Sequence, residues 1–261
     1  MPLKIIIVNL MPTKVETENQ FLNIFKAIPL DIDIGFLRLV SHEYKNVDMN
    51  YINSNYKSLE EIKNMYFDGM IITGAPIEHL EFEEVDYWNE LKHIMNFSKT
   101  NVVSTFHICW AAQAGLYHHY GIPKYKLPKK LFGVFKHTIN NKNFKLFHGF
   151  GEEFYVPHSR HTEVKESDIK KVKNLEILSE SKASGIFLTA TKNGMQIFAT
   201  GHSEYDTATL KKEYERDKNK GLNIDIPKNY FLNDDPTKEP VNIWGNHGKL
   251  LFSNWVYNYL L

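Results

Sequence analysis

Apolar, β-branched runs alternate with segments of helical periodicity in the first half of the chain, and this alternation restricts the fold more than any other feature. Residues 4–8, 32–40 and 68–73 are typical of strands, whereas residues 15–28 and 85–98 carry apolar side chains at helical spacing. Strands that alternate with helices favour a parallel, doubly wound sheet, so we predict an α/β protein. The carboxyl ends of such strands meet along one edge of the sheet.

The second half of the chain has a different pattern. Residues 218–240, rich in Asn, Asp, Lys and Pro, are typical of a long surface loop, and residues 248–261 indicate a closing helix. Short strand-like segments precede them, at residues 132–138, 154–156, 176–178, 185–190 and 196–200. We therefore predict a smaller, mainly antiparallel extension of the sheet, within one domain that spans residues 1–261.

Composition limits the function classes. The chain has 31 Lys and Arg residues against 31 Asp and Glu residues, so its net charge is zero. A nucleic-acid partner is not expected, because binding to phosphates needs an excess of cations. A single cysteine excludes an intramolecular disulfide and fits a reducing, cytoplasmic location. The apolar run at the amino terminus is too short for a signal peptide and indicates a buried first strand.

One uncharged stretch, residues 100–123, is long enough to suggest a membrane span. It contains three histidines, an asparagine and a glutamine, which are unfavourable in lipid. We therefore interpret it as a buried strand, turn and helix, and expect no membrane partner.

The only cysteine, Cys109, lies within that stretch, where an apolar run ends and helix-forming residues begin. A thiol at this junction faces the free N–H groups and the positive dipole end of the helix. Both favour the thiolate, which is the reactive form. The alternative is an inert core cysteine, since free cysteines are among the most buried residues.

A second strand-like run ends at Gly201 and is followed by His202 and Glu204. Residues two apart in an extended stretch point to the same side, so the carboxylate could hold one nitrogen of the imidazole. The other nitrogen could face Cys109 at the shared sheet edge, giving a nucleophile and its base. A solvated His–Glu pair on a loop is the alternative that spacing alone leaves open.

Other histidine pairs indicate no metal site. His118 and His119 are adjacent on a predicted helix and point in different directions. His158 and His161 form a His-x-x-His pair, whereas metal sites usually bring further Cys, His or carboxylate ligands with defined geometry. We therefore predict neither a metal nor a cofactor.

Several motifs, in order along nearly the whole chain, carry a resemblance to a known family. They are residues 9–20 (NLMPTKVETENQ), 73–76 (TGAP), 109–113 (CWAAQ), 157–160 (PHSR), 201–206 (GHSEYD) and 229–231 (NYF). The chain resembles the homoserine O-acyltransferase family. This resemblance implies a fold similar to flavodoxin-like proteins and class I glutamine amidotransferases.

The resemblance implies a ping-pong acyl transfer at the start of methionine biosynthesis. Cys109 would take an acyl group from acyl-CoA, which is a substrate rather than a cofactor, and pass it to the hydroxyl of homoserine. His202 would move the protons and Glu204 would orient it. The backbone N–H groups of Trp110 and Ile77 would hold the oxyanion.

The family's substrate contacts map onto Lys130, Ser159 and Arg216. Glu213 lies three residues before Arg216 on a predicted helix, so the two share a face. Arginine suits a carboxylate and glutamate suits an ammonium, as the two ends of homoserine require. A solvent-facing ion pair is the alternative at these two positions.

The acyl donor depends on Glu78, with Ser159 as a second position that bears on specificity. Relatives with glycine at position 78 have room for the terminal carboxylate of succinyl, whereas glutamate is associated with acetyl. A carboxylate beside the acyl pocket would repel another in a medium of low dielectric. We therefore predict acetyl-CoA, with an outward-pointing Glu78 as the alternative.

Three other interpretations stay open at this point. The acyl donor could be succinyl-CoA. The same fold and Cys-His-Glu set occur in glutamine amidotransferases, which hydrolyse glutamine and pass ammonia to a partner domain. A binding protein could keep the fold without the chemistry. The substrates acetyl-CoA and L-homoserine are the expected partners, and a homodimer is left open.

Overall fold

The computed structural model describes residues 1–44 and 47–261, and the strands among them join in one ten-stranded sheet. The strands in chain order are β1 Leu3–Val8, β2 Ile32–Leu37, β3 Tyr56–Lys57, β4 Phe67–Ile72, β5 Val102–Ile108, β6 Tyr125–Ile139, β7 Glu153–Glu163, β8 Leu175–Ser181, β9 Gly185–Thr191 and β10 Gln196–Ala199. Across the sheet they are arranged in the order β3-β2-β1-β4-β5-β10-β9-β8-β6-β7.

The first six strands of that order, β3 to β10, are parallel, and the pairs from β10 onward are antiparallel. The predicted parallel sheet with an antiparallel extension is therefore confirmed. The extension continues the same sheet through β9, because β10 pairs with β5 on one side and β9 on the other.

The helices lie mainly in the parallel part. They are α1 Lys14–Lys26, α2 Met49–Asn55, α3 Leu59–Ile62, α4 Trp88–Asn101, α5 Trp110–Tyr120, α6 Glu166–Ile169, α7 Thr209–Asn219 and α8 Gly245–Trp255. The predicted loop 218–240 is largely confirmed, with α7 extending into its first two positions. The predicted closing helix begins three residues earlier than expected and ends in a wider π-helical turn, Val256–Leu260.

Two apolar layers cover the central strands. On one face, Phe252 and Trp255 of α8 pack on Phe106 of β5, with ring centroids 5.2 and 5.7 Å away. On the other face, Leu91 and Ile94 of α4 are fully buried. Burial on both faces explains why β1 and β4 end in continuous apolar runs, Ile5–Val8 and Met70–Ile72.

The topology places the two candidate catalytic segments side by side. β5 and β10 are adjacent and parallel, and their last residues, Ile108 and Ala199, are paired. Cys109 follows the first strand directly and His202 follows the second three residues on. The carboxyl edge of the parallel strands therefore carries both, as the sequence predicted.

None of the helices in the described part of the chain combines the length and apolar character needed to cross a membrane.

Candidate active site

Cys109 occupies a sharp turn between β5 and α5. Its backbone has φ 53° and ψ −114°, a conformation that costs a non-glycine residue about 1–3 kcal/mol. Its N–H donates to the carbonyl of Ala199 (2.7 Å), and its carbonyl accepts from the N–H of Ala112 (3.1 Å). These bonds hold the strained turn in place and present the thiol at the helix amino terminus, as nucleophile turns do in other α/β enzymes.

His202 and Glu204 form a buried pair beside this turn. Nδ1 of His202 lies 2.6 Å from Oε1 of Glu204, and the side chains are 4% and 6% exposed. Burial alone would lower the pKa of His202. The negative charges of Cys109 and Glu204 and hydrogen bonds to both outweigh burial and raise that pKa well above 6.5. The arrangement therefore favours the imidazolium form of His202 beside the sulfur of Cys109.

Gly74 permits the approach of these two side chains. A Cβ at this position would lie 3.2 Å from Cβ of Cys109 and 3.5 Å from Cε1 of His202. The turn after β4 therefore passes directly over the space between nucleophile and base, and a larger residue there would crowd both.

The predicted oxyanion donors differ in availability. Trp110 is the first residue of α5, where an N–H has no acceptor within the helix. The N–H of Ile77 instead donates to the carbonyl of Ala75 (2.9 Å), so it is engaged in this conformation. Among the described residues, no acceptor is found for the N–H groups of Gly74 and Ala75, and a Cβ on Gly74 would lie 3.2 Å from Cβ of Cys109.

A pocket of about 260 Å³ collects most of the remaining predicted residues. It is lined by Cys109, His202, Glu78, Lys130, Ser159, Glu213 and Arg216, together with Tyr205 and Asp217, which sequence reasoning missed. Asp217 could have been noticed as the residue one helical turn after Glu213, on the same face of α7.

Lys130, Ser159 and Glu213 are in mutual contact in this pocket. The hydroxyl of Ser159 donates to Oε2 of Glu213, and Nζ of Lys130 lies 3.5 Å from the same oxygen. The hydroxyl of Tyr205 donates to Oε1 (3.0 Å). Glu213 therefore has partners on both oxygens before any substrate arrives.

Arg216 pairs with Asp217 rather than with Glu213, its partner in the alternative of a solvent-facing ion pair. Its Nε donates to Oδ1 of Asp217 (2.7 Å), while Oδ2 of Asp217 accepts from Nζ of Lys130 (3.2 Å). The side chain of Arg216 is 51% exposed. The predicted shared face with Glu213 is present, but in this state Asp217 compensates both cations, which holds them at one side of the pocket.

Glu78 points inward rather than into solvent. Burial raises the pKa of its carboxyl group, opposed by a hydrogen bond from the backbone of His161 and by the nearby charges of His202 and Lys130. The carboxylate therefore lies within electrostatic range of His202, at one wall of the pocket.

A second layer of buried polar side chains lies behind the site. Nδ1 of His137 donates to the carbonyl of Phe135 (3.0 Å), which leaves Nε2 to accept from Nε2 of His158 (3.2 Å). Arg160 donates to Nδ1 of His158 and to the carbonyls of Thr162 and Ser184. Both imidazoles are thus neutral, with their tautomers set by this chain of hydrogen bonds.

Two of the four histidines considered for a metal site have other partners. His158 belongs to the layer just described, and Nε2 of His118 lies 2.9 Å from Oδ1 of Asn96. Residues 1–44 and 47–261 contain no group of three His, Cys, Asp or Glu side chains placed to hold a metal ion.

Comparison with known proteins adds sequence relatives to this geometry. The family described as homoserine O-succinyltransferase matches residues 1–261. A homoserine O-acetyltransferase of Clostridium novyi (strain NT) is 59% identical, over 99% of this chain and 86% of that protein. A homoserine O-acetyltransferase of Bacillus cereus (strain AH187) is 57% identical over the same shares.

Solved structures show the same fold at low identity. A glutamine amidotransferase from Thermotoga maritima superposes with a TM-score of 0.65 and 10% identity, covering 100% of this chain and 99% of that one. A second glutamine amidotransferase, from Methylobacillus flagellatus, has a TM-score of 0.60 and 12% identity, covering 98% of this chain and 94% of that one. These likenesses bear on the fold alone.

Proposed function

Since the chain belongs to the homoserine O-succinyltransferase family, we propose that it transfers an acetyl group from acetyl-CoA to the hydroxyl of L-homoserine through a thioester on Cys109. The observation that carries the mechanism is the strained turn of Cys109 facing a His202 whose pKa is raised by two anionic neighbours. The family description and the relatives' names differ in the acyl group, and Glu78 bears on that difference.

The first half-reaction forms the acyl-enzyme. The thiolate of Cys109 attacks the carbonyl carbon of the thioester, and the carbonyl electrons move to oxygen. When that intermediate collapses, the bond to the sulfur of CoA breaks, and the imidazolium of His202 protonates the leaving thiolate. Cys109 then carries the acetyl group and His202 is neutral.

The second half-reaction reverses the proton flow. Neutral His202 removes the proton from the hydroxyl of homoserine as its oxygen attacks the acyl carbon. Collapse of the second intermediate breaks the bond to the sulfur of Cys109 and releases O-acetylhomoserine. The thiolate and imidazolium are restored, with Glu204 holding the ring in the same orientation throughout.

Each tetrahedral intermediate needs donors for its oxyanion. We propose the N–H of Trp110 as one, because it opens α5 without an acceptor in the helix. The turn after β4 supplies the other. The lack of an acceptor for the N–H groups of Gly74 and Ala75 among the described residues supports them in this role, whereas the N–H of Ile77 would first have to leave the carbonyl of Ala75.

Homoserine would enter the cluster of charges on α7. Its carboxylate would displace Asp217 as the partner of Lys130 and Arg216, and its ammonium would find the acidic side chains Glu213 and Asp217. Exchange of one ion pair for another keeps the charge of the partly buried pocket balanced, which avoids leaving a group unpaired.

The inward carboxylate of Glu78 supports acetyl over succinyl as the acyl group. A second carboxylate at the end of a succinyl chain would lie near Glu78 and Glu213 in the same small pocket, where Lys130 and His202 are the cations that act on Glu78. Like charges in a site of reduced dielectric repel strongly.

Intact-protein mass spectrometry tests both parts of the proposal. The protein is mixed with acetyl-CoA or with succinyl-CoA, without homoserine, and the modified peptide is mapped. We expect one acetyl group on Cys109, little succinylation, and no adduct on Cys109→Ala. An acetyl group on another residue would overturn the mechanism. Preferential succinylation would overturn the donor assignment alone.

Two variants of Glu78 separate charge from space. Glu78→Gly removes the charge and also frees the volume of the side chain, and we expect the ratio of succinyl to acetyl turnover to rise roughly tenfold. Glu78→Gln keeps the size and removes the charge, so a similar rise there assigns the selectivity to repulsion. An unchanged ratio in both variants would show that Glu78 does not select the donor. Absence of ammonia release from glutamine in the same preparations would exclude a glutaminase.

We also propose that the reaction serves methionine biosynthesis in the cytoplasm. The single cysteine, which has to stay reduced to react, supports a reducing compartment. Cell fractionation with an activity assay for O-acetylhomoserine would test the location.

A further inference from the structure

A second pocket, of about 440 Å³, adjoins the catalytic pocket and has no role in the chemistry described above. It lies between residues 126–130 and residues 222–225. Lys130, His161, Asp217 and Leu222 line both pockets, so the two share a wall. We name it the lysine pocket, after Lys126, Lys129 and Lys130.

An interruption of the sheet creates the lysine pocket. β6 and β7 are paired at Lys126–Thr162 and again at Leu131–Arg160. Between these pairs, four residues of β6 stand opposite the single residue His161 of β7. The excess chain bends out of the sheet. Lys130 turns inward, at 14% exposure, while Lys129 remains 80% exposed at the rim.

The outer lysines of this pocket are weakly compensated. Nζ of Lys129 lies 3.6 Å from Oδ2 of Asp225, with both side chains mostly exposed, so the pair contributes little. Within the described part of the chain, Lys126 has no carboxylate within ion-pair distance. Partial burial lowers the pKa of His161, and the charges of Lys130 and Lys126 lower it further, against Asp217. Positive charge therefore concentrates at this mouth of the active site.

One wall of the lysine pocket is apolar. Leu127, Phe132, Leu222 and Ile224 line it, and Phe132 and Ile224 belong to the cluster packed around Trp244. An elongated ligand with a neutral arm and a polyanionic end would match this combination, with the arm along the apolar wall and the anionic end at the rim.

The other large pockets are less suited to such a ligand. The pocket beside Pro12 and Pro76, of about 350 Å³, also adjoins the catalytic pocket, but it carries Glu43 and Asp86, and His42 is already bonded to Asp86 (2.9 Å). A pocket at Leu3 and Val102 lies at the amino ends of the parallel strands, on the edge opposite Cys109.

We propose that the lysine pocket binds acyl-CoA, with the pantetheine arm on the apolar wall and the phosphates of the nucleotide at Lys126 and Lys129. This inference rests on the proposed function, because it assumes that an acyl-CoA delivers its thioester to Cys109. The shared wall at Lys130 and His161 gives the arm a path into the catalytic pocket.

The test compares two donors that differ only in the nucleotide. The double variant Lys126→Glu/Lys129→Glu is assayed with acetyl-CoA and with S-acetyl-pantetheine, which lacks the phosphorylated nucleotide. We expect the KM for acetyl-CoA to rise roughly tenfold, because two attractive charges become repulsive. The KM for S-acetyl-pantetheine should change by less than about twofold, since the affected contacts are absent from that donor.

A matched control reverses two lysines elsewhere. Lys173 and Lys192 are exposed, and the backbone N–H of Lys192 donates to the carbonyl of Asn174 (3.1 Å). They lie where β8 begins and β9 ends, away from the catalytic edge. Lys173→Glu/Lys192→Glu has the same net charge change and should keep the wild-type KM for acetyl-CoA. Equal effects in both double variants would reduce the result to net charge and overturn the proposal.

Calorimetric titration with adenosine 3′,5′-bisphosphate separates failure of this proposal from failure of the proposed function. Binding to the wild type that is lost in Lys126→Glu/Lys129→Glu supports the site even without turnover. If the wild type acetylates homoserine but the variant keeps its KM for acetyl-CoA, the lysine pocket is not the site. An equal rise for both donors would also contradict it. If the wild type neither turns over nor binds the nucleotide, both proposals fail.

Discussion

Two buried histidines, His202 and His158, lie close together near Cys109, and their pKa values are shifted in opposite directions. His202 is 3% exposed and His158 is fully buried. The pKa of His202 is raised well above 6.5, whereas that of His158 is lowered well below it. Burial lowers both pKa values, so the difference must come from the groups around each ring.

The neighbours of each ring explain the difference. His202 is bordered by two groups that carry negative charge, Cys109 and Glu204. His158 lies among His137, Arg160 and His202, which are neutral or positive. Gly201, which directly precedes His202, packs against His158, because a Cβ on Gly201 would lie 2.8 Å from Cε1 of His158. The two rings are therefore close together although their surroundings differ in charge. The charge of the neighbouring groups, rather than the degree of burial, therefore decides which histidine can be protonated near neutral pH.

Removal of the sulfur should have the largest effect. Cys109→Ala deletes both the nucleophile and one anion beside His202, so we expect acyl transfer to fall by about 10⁴-fold or more. The pKa of His202, followed by NMR of its ring, should also move down toward 6.5. Stopped assays of O-acetylhomoserine would measure the rate. Normal turnover by Cys109→Ala would exclude the thioester mechanism.

Removal of the second anion, Glu204, should have a smaller but still large effect on the rate. Glu204→Gln keeps the size of the side chain and removes its charge, so the pKa of His202 should fall and the ring lose its fixed orientation. We expect kcat to decrease about 10³-fold. Glu153→Gln, which neutralises an exposed carboxylate on β7, is the control. If Glu204→Gln changed KM but not kcat, Glu204 would act in binding rather than in orienting the base.

Sequence alone predicted the surroundings of His202 better than those of His158. An apolar run ending in a cysteine and another ending in a glycine and histidine are local signals, and adjacent parallel strands bring them together. The shift of the second half to antiparallel pairing was also visible, because its strands are short and closely spaced. The lengths of β6 and β7 were not, since pairing across a bulge depends on the partner strand.

The contacts of charged residues could not be predicted in the same way. Arg216 was expected to share its face with Glu213, yet its partner is Asp217, one residue along. The neutral pair of His137 and His158 depends on the register between β6 and β7, which brings residues 21 positions apart into contact, and no local spacing indicates it. Such contacts depend on tertiary packing, which periodicity does not encode.

The neutral histidines should affect the stability of the fold rather than the rate of acyl transfer. Burial, its largest cause, lowers the pKa of His137 from 6.5 to about 4, so the unfolded chain binds a proton more readily than the folded one between these values. Stability is therefore full above pH 6.5 and is lost as the pH falls toward 4. We expect His137 to contribute a decrease of about 2 kcal/mol in the free energy of unfolding between pH 7 and pH 5.

Urea denaturation at the two pH values would measure this contribution. His137→Asn should be less stable overall but should lose less stability between pH 7 and pH 5 than the wild type does. His93→Asn, which changes an exposed histidine, should keep the wild-type pH dependence. The same pH dependence in both variants would mean that folding does not lower the pKa of His137.

Stacking should have the smallest effect of the four. His202 stacks on Tyr205 with centroids 4.0 Å apart and planes 16° apart, and His158 stacks on His137 at 5.1 Å and 18°. Only the first stack places an imidazolium over an aromatic ring, so Tyr205→Leu should lower kcat/KM about tenfold. Tyr205→Phe keeps the ring and loses the hydroxyl, and should lower it by no more than about threefold. If the two variants were equally impaired, the hydrogen bond from Tyr205 to Glu213 would matter more than the stack, and the charged state of His202 would depend on its two anions alone.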